Sequence, residues 1–118
     1  MTDDSVAFDA VLDLCRDGHR RIVLGVLADQ DRPLTMQDLA KAIVRHNHHT
    51  PFPAVSGETV TEVQHALHHR HVPKLVASNV VDYDAARRTV APTGFDRLQP
   101  ALSAILDADP DLSPPLEL

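Results

Sequence analysis

The chain has no tryptophan, one tyrosine and three phenylalanines among 118 residues. With aromatics at 3 %, a core must come from Leu, Val, Ile and Ala. There is one cysteine, Cys15, which excludes an internal disulfide and fits a reducing cytoplasm. Burial as a small apolar side chain is its expected role, with an intermolecular bridge or a redox-sensing thiol as the alternatives. No run of about 18 apolar residues occurs, so no membrane span is expected. The opening MTDDSVAFDA is acidic and lacks the basic-then-apolar pattern of a signal peptide. A cytoplasmic location is the expectation. Also missing are a Gly-rich phosphate loop, a nucleophile beside a base, and paired carboxylates in an apolar setting. No enzyme and no cofactor are therefore expected. Lysine and glutamate are scarce as well: Lys41 and Lys74 stand against nine arginines, and three Glu against 14 Asp. Such usage fits a salt-adapted proteome, although a GC-rich genome alone produces the same arginine bias.

Histidine, by contrast, is abundant. Four of the eight histidines fall within residues 65–71, in the run HALHHRHVPKL. The net charge of −6 argues against a nucleic-acid partner until its distribution is read. Asp3, Asp4, Asp9, Asp13, Asp107, Asp109, Asp111 and Glu117 lie in the two ends. Between Arg16 and Arg97 lie all 11 basic residues, all eight histidines and nine acids, a net +2. A neutral-to-basic middle between acidic ends is compatible with DNA binding by one face.

The length and the 43 % apolar content bound the chain to one domain. Phe8, Val11, Leu12 and Cys15 fall at helical spacing, and Asp17-Gly18 breaks the chain. Ile22, Val23, Val26 and Leu27 mark a helix over 19–29. Thr35, with Asp38 at the capping-box distance, opens another that carries Leu39, Ala40 and Ile43 inward. Residues 47–57, with two prolines and a glycine, form a long connector. After Ser56 or Glu58, the residues Val60, Val63, Leu67, His71 and Leu75 follow spacings of three and four, one stripe of one helix. Pro73 is expected to kink that helix, or to end it and start a final turn. Val80–Tyr83 and Thr89–Ala91 read as a β-hairpin. Phe95, Leu98, Leu102, Ile105 and Leu106 share one face of a last helix over 94–107. The expected fold is α+β and mainly helical. It is a winged helix-turn-helix with a three-helix core, a two-stranded β-wing at about 80–91, and flanking N- and C-terminal helices. Residues 1–107 form the domain, and 108–118 a flexible tail.

The run RHVPKLVASNVVDYD, residues 70–84, resembles the end of the recognition helix and the first wing strand of ArsR- and PadR-like regulators. Arg70, His71, Val72 and Leu75 take the helix positions, Asn79 the position of a turn glycine, and Val80-Val81 the start of the strand. Asn is the usual substitute where a left-handed residue is needed. LHHRHVPKL is similar to the pattern Leu-x-His-x-His-Leu-Pro-Lys-Leu of a haloarchaeal family of winged helix-turn-helix regulators. Leu67, His69, His71, Pro73, Lys74 and Leu75 match it, with Val72 in a Leu place. The resemblance covers roughly residues 8–95. It implies a winged helix and a DNA-binding transcriptional regulator, and it names no target and no signal.

On this reading His71 lies on the apolar stripe as a satisfied, buried imidazole. Thr61, Gln64, His65, His68, His69 and Arg70 lie on the outward side as contacts to double-stranded DNA, with Lys74 beyond them. Arg87 and Arg88 at the wing tip reach phosphates or the minor groove, against the plainer reading of a charged turn. Thr35 and Gln37 open a helix whose N-terminus suits a phosphate. Arg20 and Arg21 either do the same or pair with Asp17 and the terminal acids. A metal is the alternative use of His65 and His69, four residues apart, with His68 nearby and His46, His48 and His49 across the connector. Phe8, Val11, Leu12, Cys15, Phe95, Leu98, Leu102, Ile105 and Leu106 are the expected homodimer interface, unless they cover the monomer's own core. In a hypersaline cell phosphate attraction is screened, so a helix rich in neutral donors suits DNA recognition there. The rival class is a protein–protein interaction module, or a metal-responsive repressor using the histidine cluster.

Overall fold

Asp17 sets the start of the central helix. Its carboxylate accepts from the amides of His19 (2.8 Å) and Arg20 (3.4 Å), capping α2 (Gly18–Gln30). The computed structural model describes residues 8–48, 56–93, 95–109 and 112, with the side chains of residues 47 and 48 outside that description. Helix α2 is buried nearly all round: Ile22, Val23, Leu24, Val26 and Leu27 are within the core. It ends at Asp31, whose amide closes the last turn on the Leu27 carbonyl and whose left-handed backbone (φ 50°) then turns the chain out of the helix. Before it, α1 (Phe8–Leu14) ends against the buried Arg20 guanidinium, which donates to the carbonyls of Leu14 (2.8 Å) and Asp13 (3.3 Å). Those carbonyls have no partner within their own helix, so the arginine satisfies them. Arg21 pairs with Asp109 at 2.9 Å, as expected for a terminal acid.

A two-residue strand, β1 (Leu34–Thr35), leads into α3 (Met36–His48). The expected capping box is present: Asp38 donates its amide to the Thr35 hydroxyl (3.0 Å), and the Thr35 amide donates to the Asp38 carboxylate (3.4 Å). Ser56 caps α4 (Gly57–Ala66) through the Thr59 amide. The chain then runs without a break through a π-helical turn, Leu67–His71, into α5 (Val72–Ala77). Strands β2 (Val81–Asp84) and β3 (Thr89–Pro92) and helix α6 (Phe95–Ala108) complete the order. The fold is α+β and mainly helical, with a small antiparallel sheet.

Pro73 stands in the first turn of α5, the short final segment expected to start at it. The Val72 amide reaches back five residues to the Leu67 carbonyl, and this wider turn gives room for the proline ring at the start of α5. The apolar stripe explains the turn. Val63, Leu67, His71 and Leu75 are all buried and are spaced by four. In a regular α-helix each such step drifts about 40°, roughly 120° over three steps. A wider turn takes back part of that drift and keeps all four facing the core. Asn79 follows α5 with φ 61°, the left-handed conformation expected for it.

Three expectations are corrected here. The sheet has three strands, ordered β1-β3-β2, because Leu34 pairs with Val90 on the free edge of the hairpin. A strand of two residues shows no alternation to read. Val11, Cys15, Phe95, Leu98 and Leu102, expected at a dimer interface, are buried in the monomer, because α1 and α6 pack on each other and α6 also packs on α2. Phe8 and Leu12 remain exposed (52 % and 42 %), and Ile105 and Leu106 are half-buried against the core. Finally, His71 is buried as expected but not satisfied: neither ring nitrogen has a hydrogen-bond partner. Of the expected flexible tail, Leu112 is buried, and residues 110, 111 and 113–118 lie outside the described residues. Cys15 is buried, and burial pushes its thiol up to about 11 against the pull of Arg21 and Arg20, so it stays protonated and unreactive. Among the described residues no helix is long and apolar enough to cross a membrane.

Burial lowers the pKa of His71 to about 4, outweighing the attraction of Asp17 3.9 Å away. The imidazole is therefore neutral in the folded protein at neutral pH. An unfolded histidine takes up its proton near pH 6.5. Between about 6.5 and 4 the unfolded chain holds the extra proton, so stability falls as pH falls through that window. His71→Leu removes this linkage and the unpartnered polar group together. In chelator-treated protein, urea denaturation should show the variant gaining on the wild type by on the order of 3 kcal/mol from pH 7 to pH 4. A constant difference between the two proteins across that range would refute the assignment.

Candidate nucleic-acid interface

Three segments far apart in sequence meet at one open cleft. The start of α3 supplies Thr35, Met36 and Gln37, the continuous rod of α4, the π-helical turn and α5 (the α4 rod) supplies Gln64, Leu67 and His68, and the hairpin supplies Tyr83 and Arg88. The cleft has a volume of about 660 Å³. Among the described residues its lining holds one cation, Arg88, and no acidic residue.

Backbone bonds bring these groups together. The first free amide of α3, on Met36, donates to the Arg88 carbonyl at 3.0 Å, and Thr35 pairs with Thr89. This ties the hairpin turn to the helix start and satisfies a donor that the helix itself leaves unpaired. Arg88 meets the requirement in a left-handed conformation (φ 53°), unusual for a side chain of its size. The Asp84 carboxylate accepts from the amides of Ala86 (3.0 Å) and Arg87 (3.2 Å), closing the other side of the turn. On the rod, burial of Val63 and Leu67 turns Gln64 and His68 outward, and both are exposed. His68 meets the Tyr83 ring edge-on at 6.3 Å.

Of the eleven residues expected to touch DNA, Thr35, Gln37, Gln64, His68 and Arg88 line the cleft. Thr35 spends its hydroxyl on the α3 cap, and the Thr61 hydroxyl donates to the Gly57 carbonyl at 2.9 Å. His65, His69 and Arg70 are exposed along the same rod outside the cleft lining, with the His65 and His69 rings 4.3 Å apart. Arg87 is exposed, 3.9 Å from Asp84. Lys74 turns elsewhere: its ammonium sits 2.9 Å from Asp13 on α1, and that bond holds the Asp13 carboxyl below its ordinary range. Met36 and Tyr83 were not read as site residues. Tyr83 stood in a predicted strand with its face unassigned, and alternation from Val81 gave the only signal.

The metal alternative also moves. Among the described residues no third His, Cys, Asp or Glu donor gathers with His65 and His69. The group that does gather is Asp17, His19 and His71. The side chains of His48 and His49 lie outside the described residues. Burial tends to raise the Asp17 pKa, but His71 and the amides of His19 and Arg20 outweigh it and hold the carboxyl below its ordinary range.

A family model described as Domain of unknown function (DUF7344) matches residues 12–91. No curated protein and no solved structure matches the chain.

The left-handed Arg88 permits a test that separates strain from function. A side chain there costs about 1–2 kcal/mol, and glycine returns about 0.5–1 kcal/mol of that as extra freedom in the unfolded chain. Arg88→Gly should leave stability within about 1 kcal/mol of wild type in urea denaturation. A loss of several kcal/mol would mean that the arginine side chain holds the turn.

Proposed function

The chain belongs to the DUF7344 family, and we propose that it is a winged helix-turn-helix protein that binds double-stranded DNA as a homodimer and regulates transcription. One observation carries this reading. The exposed face of the rod, the start of α3 and the tip of the hairpin converge on a cleft whose uncharged polar groups can both donate and accept, with Arg88 as its cation and, among the described residues, no acid in its lining. Helix α3, the α4 rod and the β2–β3 hairpin fall in the order of a helix-turn-helix followed by its wing. In that arrangement the second helix of the pair enters the major groove.

The roles follow from the chemistry of the side chains. Gln64 and His68 hydrogen-bond base edges, with His65 and His69 beside them. Arg70 suits a guanine through two parallel bonds. Arg87 and Arg88 reach the phosphates or the adjacent minor groove, and Gln37 with the α3 N-terminus takes a phosphate. The homodimer forms through what the core leaves outside, chiefly Phe8 and Leu12, with Ile105 bordering the same depression as Leu12. A twofold pair would present two rods to two half-sites. The reading assigns the chain no catalytic step.

The test is selection of genomic DNA fragments by the purified protein in concentrated KCl. Enrichment of a few promoter fragments is the expected result. Gln64→Ala and His68→Ala should each weaken the selected site by about 1–3 kcal/mol per half-site. Failure to enrich any fragment at any salt would put an interaction module first. Affinity should fall with salt at a slope set by Arg87 and Arg88, about two phosphate contacts per half-site. Replacing Phe8 and Leu12 together by Ser should yield a folded monomer in sedimentation, because both are exposed. A dimer that persists unchanged would place the interface elsewhere.

A further inference from the structure

The buried histidine of the α4 rod is not alone. His71 lies opposite the corner between α1 and α2, where Asp17 and His19 stand. Its Nε2 is 3.9 Å from Asp17 Oδ1, and its ring meets that of His19 edge-on with centroids 5.8 Å apart. One donor atom from each of the three side chains lies within 4.8 Å of the other two. His71 is fully buried, and both of its ring nitrogens lack a partner. Leaving a buried polar group unpaired costs about 1–3 kcal/mol, so an interior imidazole with two idle nitrogens calls for an occupant.

We propose that Asp17, His19 and His71 form a binding site for one divalent transition-metal ion, with zinc the best match. Two imidazoles and a carboxylate are a donor set that zinc accepts, with water in the fourth position. Metal–ligand bonds of about 2.0–2.2 Å bring tetrahedral donors to roughly 3.3 Å from one another. The present spacing closes to that by rotation of His19 and Asp17, both half-exposed, while His71 stays where packing holds it. Asp17 uses Oδ1 for the α2 cap, and a carboxylate has a second oxygen to give. Solvent reaches the site from the Asp17 side, whose side chain is 32 % exposed.

His71 belongs to the π-helical turn, so the ion would join the start of α2 to the middle of the rod. Such turns recur at functional sites. The site stands on its own geometry. Only its consequence, a metal that fixes the rod's position, rests on the DNA-binding reading.

The experiment uses the full chain, stripped with a chelator and titrated with Co²⁺ and then Zn²⁺. One equivalent of Co²⁺ should develop the visible d–d bands of tetrahedral nitrogen and oxygen coordination, and Zn²⁺ should displace it. Zinc should also raise the melting temperature. Asp17→Asn keeps the helix cap but gives up the anionic ligand, and His19→Ala removes a half-exposed side chain, so both variants should fold. Loss of an outer partner of a metal ligand already weakens binding about 10–100-fold, and each of these changes should cost at least that. A control with His65 and His69 both changed to Ala should bind as the wild type does. The proposal is overturned if the wild type shows no saturable binding. It is equally overturned if binding survives in Asp17→Asn and His19→Ala, or disappears with His65 and His69.

Discussion

The rod formed by α4, the π-helical turn and α5 has to place four side chains spaced by four on one buried face. Val63, Leu67, His71 and Leu75 achieve this only because the helix widens between Leu67 and His71. A regular helix would rotate the later members away from α2 and α3, and Pro73 would clash with the preceding turn. The π-helical turn answers both demands at once. It also fixes what faces outward, because Gln64 and His68 each follow directly on a buried residue. The outer chemistry of the rod is therefore set by the register of its inner face.

The second constraint is the bond from the Met36 amide to the Arg88 carbonyl. A helix start needs partners for its amides, and here the hairpin turn supplies one. The arginine accepts a left-handed backbone in consequence, and its side chain arrives at the cleft. Together with the pairing of β1 and β3, that bond ties the hairpin to the helix start. With it, the start of α3, the rod and the hairpin form one surface.

Much of this was legible in the sequence, for physical reasons that differ by element. The helices announced themselves through apolar periodicity, the Thr35–Asp38 box through its spacing, and Asn79 through a residue type that tolerates a left-handed backbone. Those signals are local. Strand β1 has only two residues, and its pairing with β3 is a long-range fact that no alternation reveals. The terminal helices misled for a related reason. Val11, Cys15, Phe95, Leu98 and Leu102 look like surplus apolar surface when counted against three helices. They become core once α1 and α6 are seen to pack on each other and α6 on α2. For the cleft, residue types were readable along the rod, but Met36 and Tyr83 became visible only when three segments met. His19 was missed because its partner lies 52 positions away, at the other end of the pattern that drew attention to the histidines.

The histidines divide by dielectric environment rather than by sequence. His65, His68 and His69 are exposed, their rings meet at tilted and edge-on angles, and they share the outer face of the rod with Arg70. The selectivity of that face would come from hydrogen-bond pattern and shape, where each base edge must be matched individually. His71 has the opposite situation. Burial keeps it neutral, and the same burial makes each idle nitrogen costly. A leucine would fill that place at less cost, so an imidazole opposite Asp17 and His19 needs a reason other than packing. A bound cation is one that the three side chains could supply together, and that none of them could supply alone.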